Sequence, residues 1–257
     1  MATIRFYDHV GYGIDMRFND FFYGWNTHAT SSVIRETDGE FAITYRGAFT
    51  SDGTDIFGRL DAITETRWGL KLYTATGLAK NAHTVWTMAL AEDNTGAMAY
   101  LTSGNDTITG TKYRDILSGN AGSDYLHGRA GNDYLAGGSG SDKIVGGAGR
   151  DAMSGGAGAD TFIFTAKTDS APGAASRDRI ADFSRAQDDH ISLAAFDAND
   201  KVAGVQDFHF VGARGFSGAS GELRYAGGVL SADTDGDRIA ELEVAVETPF
   251  GAVDLIL

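Results

Sequence analysis

The sequence predicts a mainly β protein: a parallel β-roll over residues 101–163, a β-sandwich cap over 164–257, and a small α+β domain over 1–100. Three observations carry this. From Leu101 to Ile163 the chain runs as seven nonapeptides in register, LTSGNDTIT GTKYRDILS GNAGSDYLH GRAGNDYLA GGSGSDKIV GGAGRDAMS GGAGADTFI. Each unit has an aspartate sixth (Asp106, Asp115, Asp124, Asp133, Asp142, Asp151, Asp160) and one apolar residue eighth (Ile108, Leu117, Leu126, Leu135, Ile144, Met153, Phe162). On both sides of this stretch the nine-residue period stops, and short runs of alternating apolar residues separated by turn dipeptides take over.

A fixed short period with one apolar residue per unit requires stacking, because a single nonapeptide cannot bury its own hydrophobic side. The first six positions are turn chemistry and the last three are a short strand with one side chain pointing in. Two nonapeptides then make one coil, and coils stack at the roughly 4.8 Å spacing of paired strands. Aspartates two repeats apart fall in one column: Asp106, Asp124, Asp142 and Asp160 on one edge, Asp115, Asp133 and Asp151 on the other.

Stacked carboxylates repel by roughly 1 kcal/mol per neighbouring pair even in water. Ordering a glycine-rich chain costs more than the average entropy per residue. One apolar side chain in nine residues does not offset both. A Ca²⁺ ion accepts six to eight oxygens, carboxylate and carbonyl alike, in flexible geometry. Between stacked turns it turns repulsion into coordination, and folding becomes one event with metal binding. Neighbouring aspartates define five such sites. The turns around Gly104, Gly122, Gly131, Gly138, Gly140, Gly147, Gly149, Gly156 and Gly158 are placed to supply the remaining oxygens. Asp115 lies in the most irregular repeat, with Tyr113 in a glycine position and Arg114 beside the acid. A flexible Gly/Asp/Ser linker is the competing reading, but a linker has no reason to place an apolar residue at every ninth position.

The pattern G-G-x-G-x-D-x-U-x resembles the repeat-in-toxin (RTX, hemolysin-type) family of secreted calcium-binding proteins. That resemblance implies type I export through an uncleaved C-terminal signal, and hence an extracellular location. The last residues, Asp254-Leu255-Ile256-Leu257, resemble the terminus of secreted serralysin-type proteases. The type I secretion apparatus is therefore an implied partner; a final β-strand is a compatible reading of the same residues.

Composition narrows the rest. The 257 residues include 35 Gly, two Pro and no Cys, with a formal net charge of −14. Nucleic acids and anionic membranes require a positive footprint, so neither is an expected partner. No run of 18 apolar residues suggests a membrane span. Zero cysteine suits either a cytosolic protein or an exported one that avoids disulfides. The opening MATIRFYDHVGYGIDMRF lacks the apolar core of a signal peptide. His9, His83, His127, His190 and His209 are scattered with no H-E-x-x-H, and no G-x-S-x-G or cysteine nucleophile occurs. The sequence thus offers no catalytic constellation, and a non-enzymatic binding or structural role is expected, its surface or small-molecule ligand unnamed.

In the N-terminal region strands are expected at Thr3–Tyr7, Ser32–Glu36, Glu40–Tyr45, Ile56–Thr64 and Leu70–Thr74, with turns at Asp38-Gly39, Asp52-Gly53 and Trp68-Gly69. Val85, Met88 and Ala89 fall at helical spacing within 81–92, and 95–101 suits a second helix. IRFYDHVGYGI near the start, DIFGRLDAI at 55–63 and ALAEDNTGAMAYL at 89–101 resemble the secreted haem-acquisition hemophores. The resemblance implies a haem or small-ligand carrier as the alternative function, with His28 as its haem-binding residue. An exposed loop histidine is the plain reading of His28, and Phe49 and Thr50 stand where a hemophore tyrosine is expected.

After the repeats, DRIADFSRAQDDHISLAAFDAN (178–199) and the segment 208–246 resemble the C-terminal domain of serralysins. Strands are expected at Phe208–Val211, Glu222–Tyr225, Val229–Ala232 and Glu241–Val246. The same resemblance implies one more Ca²⁺ at Asp182 and Asp189, with a solvated loop as the alternative. Asp233, Asp235, Asp237 and Glu241 in DTDGDRIAE offer oxygens at calcium-like spacing. Their glycine is fourth and not sixth, so the loop is no EF-hand, and a plain hairpin turn is the alternative.

Overall fold

The computed structural model describes residues 3–6, 33–37, 41–51, 56–67, 70–81 and 103–257, the first five segments as backbone strands. These segments are β1 (Thr3–Phe6), β2 (Val33–Thr37), β3 (Phe41–Ser51), β4 (Ile56–Arg67) and β5 (Leu70–Asn81). β2, β3, β4 and β5 pair antiparallel in sequence order, and β1 pairs antiparallel with β5. Arg67 stands opposite Leu70, and the turn expected at Trp68-Gly69 lies outside the described residues. β3 and β5 run six and seven residues past the expected ends, and Asn81 closes a strand where the sequence suggested a helix start. The rest of the two helix candidates and His28 lie outside the described residues.

The repeats wind as a two-sided coil. β6 (Thr107–Thr109), β8 (Tyr125–Gly131), β10 (Lys143–Gly149) and β12 (Thr161–Ile163) pair parallel on one side. β7 (Ile116–Ala121), β9 (Tyr134–Ser139) and β11 (Ala152–Ala157) pair parallel on the other. The register is 18 residues per coil: Ile108 stands beside Leu126, Leu126 beside Ile144, and Ile144 beside Phe162. All seven eighth-position side chains are buried between the two sheets. β1 pairs parallel with β6, so the N-terminal strands continue the first sheet.

The strands expected at 208–246 all form: β15 (His209–Gly212), β16 (Glu222–Ala226), β17 (Val229–Asp233) and β18 (Leu242–Val246). They do not build a sandwich of their own, as the sequence reading expected; all four extend the sheet of the roll that holds β7, β9 and β11. The reason lies in two stretches, Asp178-Arg179-Ile180 and Asp189-His190-Ile191, which repeat the D-x-U ending of the nonapeptide without its glycines. β13 (Asp178–Ile180) sets Ile180 beside Met153, and β14 (His190–Ser192) sets Ile191 beside Phe162. β18 then pairs with β13, and β19 (Leu255–Ile256) pairs with β14. The result is one sheet of eleven strands and one of eight.

The seam is filled by aromatics. Phe183 packs 6.4 Å from Phe162 and 5.6 Å from Phe250, ring centre to ring centre, and Phe250 stacks on Tyr225 at 4.2 Å. The last glycine turn, which no further repeat covers, is satisfied by side chains. Asp182 accepts from Gly155 N and Gly156 N, each at 2.9 Å, and from Ser154 Oγ at 2.5 Å. Gln187 Oε1 accepts from Gly158 N at 2.9 Å. Backbone donors left open at the end of a solenoid carry a desolvation penalty, and this loop removes it. The terminal residues Leu255 and Ile256 form a strand, with Asp254 bonded to Arg185 Nε at 3.0 Å. Among the described residues no helix is long and apolar enough to cross a membrane.

Candidate metal centre

The two expected aspartate columns are present, and each carboxylate uses its two oxygens differently. Oδ1 accepts the backbone N–H of the aspartate one coil earlier. Asp124 accepts from Asp106 at 2.7 Å, Asp133 from Asp115 at 2.8 Å, Asp142 from Asp124 at 2.7 Å, Asp151 from Asp133 at 2.8 Å, and Asp160 from Asp142 at 2.9 Å. Oδ2 has no hydrogen-bond partner in Asp124, Asp133, Asp142, Asp151 or Asp160, and all five side chains are buried. A buried carboxylate oxygen with nothing to accept is costly.

The unpartnered oxygens share their space with carbonyls of the next coil. A Cβ added to Gly128 would stand 2.5 Å from both Asp133 Oδ2 and Gly146 O. Gly119 and Gly137 look onto the same pair of groups, Asp124 Oδ2 with Gly137 O and Asp142 Oδ2 with Gly155 O. Four of the five expected sites therefore have a carboxylate oxygen and a glycine carbonyl of the following coil converging on one small space, the fourth pair being Asp115 Oδ2 with Gly128 O beside Gly110. The expected site between Asp115 and Asp133 differs. Asp115 Oδ2 accepts from Thr111 N at 2.6 Å and Thr111 Oγ1 at 3.0 Å, so protein donors already serve it. The fifth, between Asp106 and Asp124, belongs to the repeat that opens at Leu101 in the sequence, outside the described residues.

Burial dominates the electrostatics. It pushes the Asp133 carboxyl up to about 8 and Asp124 up to about 7, opposed by the backbone bond each accepts and reinforced by the aspartates above and below. Asp151 and Asp160 are pushed up to about 6, and Asp142 is raised, again chiefly by burial. Without a cation Asp124 and Asp133 hold protons near neutral pH. A hard cation that takes carboxylate and carbonyl oxygens displaces those protons, and the donor set fits Ca²⁺.

The glycines singled out in the sequence do different work from the ones that face the metal space. Gly104, Gly122, Gly131, Gly138, Gly140, Gly147, Gly149, Gly156 and Gly158 all have positive φ. At Gly140 (φ +125) a side chain would also collide with the Gly122 carbonyl of the coil before it. The carbonyls beside the unpartnered oxygens belong to first-position glycines, Gly137, Gly146 and Gly155, which the sequence reading did not single out. Their signal was available: six of the seven repeats begin with glycine.

Beyond the repeats, Asp189 takes the next place in the first column, its Oδ1 accepting from Asp160 N at 3.0 Å and its Oδ2 from Ser184 N at 2.8 Å. Asp182 lies close enough for its charge to raise both Asp160 and Asp189. The sequence reading missed Asp178, which continues the second column above Asp151. In the C-terminal loop, carboxylate oxygens of Asp233, Asp235, Asp237 and Glu241 all lie within 4.8 Å of one another, a grouping that could hold a metal ion. The same acids also tie the turn: Asp233 accepts from Gly236 N and Arg238 N, and Glu241 from Thr234 N and Oγ1.

Two-sided coil, aspartate columns and carbonyl-lined spaces together define a calcium-binding β-roll. The family model described as the RTX calcium-binding nonapeptide repeat (4 copies) matches residues 100–135 and 127–162, and this part of the chain consists of such repeats. No curated protein matches the chain. Among solved structures, the AlgE6R3 subunit from the Azotobacter vinelandii mannuronan C5-epimerase is 29% identical, covering 60% of this chain and 79% of its own, with a TM-score of 0.28. The AlgE6R2 subunit from the same enzyme is 26% identical, covering 58% and 91%, with a TM-score of 0.34.

Proposed function

We propose that this is a secreted, non-enzymatic binding or structural protein whose roll folds on calcium after type I export. Support comes from one observation above all: five buried aspartates of the repeats each keep one oxygen without a partner, three of them facing a glycine carbonyl of the next coil. In a cell, where free calcium is low, the columns stay charged or protonated and the roll stays loose enough to be threaded out. Extracellular calcium-binding modules have dissociation constants of about 10⁻⁴–10⁻³ M. At millimolar calcium each site then adds on the order of 0.5–1.5 kcal/mol, and several sites acting together decide folding. The serralysin-like C-terminal segment carries the export signal in this reading, with its last strand built into the roll sheet.

Circular dichroism against free calcium tests the proposal. Strand content rises cooperatively with calcium, and Mg²⁺ does not substitute, because it demands near-octahedral geometry and keeps its waters. A roll already folded in chelator at neutral pH overturns the reading.

A further inference from the structure

The turns on the two edges of the roll differ in charge. On the edge of the first column, residues 119–124, 137–142 and 155–160 include no lysine or arginine. On the edge of the second column every turn has an arginine: Arg114 in 110–115, with Lys112 near it, Arg129 in 128–133 and Arg150 in 146–151. These turns stack one coil apart, with Asp115, Asp133 and Asp151 in their column and Arg129 beside Gly147. The arginines thus recur once per coil, and coils step by roughly 4.8 Å. All three are exposed. Among the described residues no carboxylate pairs with any of them, whereas Lys167, Arg177, Arg179 and Arg185 each have an acidic partner.

Arg129 shows that the charge is not there for the fold. Its φ is +76°, in the left-handed region, at the repeat position that Gly138, Gly147 and Gly156 occupy in later repeats. A residue with a Cβ is strained in that conformation and glycine is not. The backbone alone favours glycine at 129, so what the arginine contributes lies outside the fold. Tyr134, 50% exposed, borders the same edge, with the Arg114 guanidinium 5.0 Å from the centre of its ring. Ca²⁺ acts on this edge twice over: it orders the stack that lines up the arginines, and it neutralises the carboxylates beneath them.

We propose that this edge binds a linear acidic polysaccharide, its carboxylates on Arg114, Arg129 and Arg150 and one sugar face on Tyr134. The proposal rests on the calcium reading of the roll and names the ligand class for the binding role given above. A guanidinium takes a carboxylate through two parallel hydrogen bonds, and an aromatic ring offers a flat apolar face. One arginine per coil suits a chain with one charge per sugar. A DNA duplex carries a charge about every 1.7 Å and calls for a denser set of cations. An anionic membrane is a broad surface, which a protein of net charge −14 meets with repulsion outside this one line.

Calorimetric titration of the full chain with an oligogalacturonate too short to gel, in millimolar calcium and low salt, reads the binding. The wild type binds it, more weakly as salt rises, and does not bind neutral dextran oligomers of the same length. Arg114→Gln combined with Arg150→Gln lowers the affinity at least tenfold. Arg129→Gly lowers it several-fold while the calcium midpoint of folding stays equal or falls, because glycine suits that backbone. Unchanged affinity in Arg129→Gly, or no binding by the calcium-folded wild type, overturns the proposal. So does tighter binding to a single-stranded oligonucleotide of equal charge. Failure of the underlying calcium reading looks different: the strand content of the wild type does not respond to calcium.

Discussion

Gly137→Ala abolishes the calcium response at millimolar calcium, although it adds a single methyl group. The methyl group would occupy the space between Asp142 Oδ2 and the Gly155 carbonyl, the latter 2.7 Å from where its Cβ must lie. Both contacts are with groups that cannot swing away: one is backbone, and the other belongs to a side chain whose second oxygen is bonded to Asp124 N. Overpacking of this kind costs roughly 1–3 kcal/mol, and the ion at that cradle is lost as well. Since each 1.4 kcal/mol is tenfold in an equilibrium constant, the calcium midpoint moves up by about one to two decades. Gly215→Ala is the control, because nothing lies within 4 Å of a Cβ there and its φ is ordinary. Circular dichroism titrations of the two variants side by side give the comparison; matching midpoints would remove the cradle from the account.

In chelator, the second large effect is a loss of stability as pH rises. The folded-state carboxyls of Asp124, Asp133, Asp151 and Asp160 are raised to between about 6 and about 8, against an ordinary value of about 4 in an unfolded chain. Between those limits the folded roll holds protons that the unfolded chain has released, so stability falls as pH rises. It is fully present below about pH 4 and is lost progressively by about pH 8. Calcium reverses the trend, since it binds the deprotonated columns and expels protons. Asp133→Asn separates the two regimes. It keeps an acceptor for Asp115 N and removes the charge, so at pH 8.5 the variant is more stable than wild type in chelator and less stable in calcium. Asp115→Asn leaves the calcium midpoint nearly unchanged, because Thr111 already serves that carboxylate. Thermal unfolding at pH 5 and pH 8.5, with and without calcium, reads all of these. Chelated wild type more stable at the higher pH contradicts the assignment of the buried protons.

The roll was legible because its constraints are local and repeated. One apolar residue in nine had to point inward, and Ile108, Leu126, Ile144 and Phe162 fall in a single parallel register. Alternation placed β16, β17 and β18 within a residue or two of their observed ends. What escaped depends on pairing between distant segments. Asp178 and Asp189 carry the D-x-U ending without the glycines that flag it, so nothing local says that they add a rung to the roll. The same omission hid the continuity of the sheets across residue 163, and with it the absence of a separate sandwich. Thr111 is the local exception: its N–H and hydroxyl reach Asp115 four residues on within one repeat, and nothing in the residue types marks the contact. Which glycine carbonyls face the carboxylates follows from how one coil sits on the next, although the glycine that opens six of the seven repeats marks the positions.

In the proposed function calcium, and not packing alone, holds the two aspartate columns in order. Hydrogen exchange at the backbone amides of Asp115, Asp124, Asp133 and Asp142, each donated to the carboxylate one coil on, measures this directly. At neutral pH these amides are strongly protected in millimolar calcium and exchange within seconds to minutes in chelator, all four together. Equal protection in both conditions would contradict the claim.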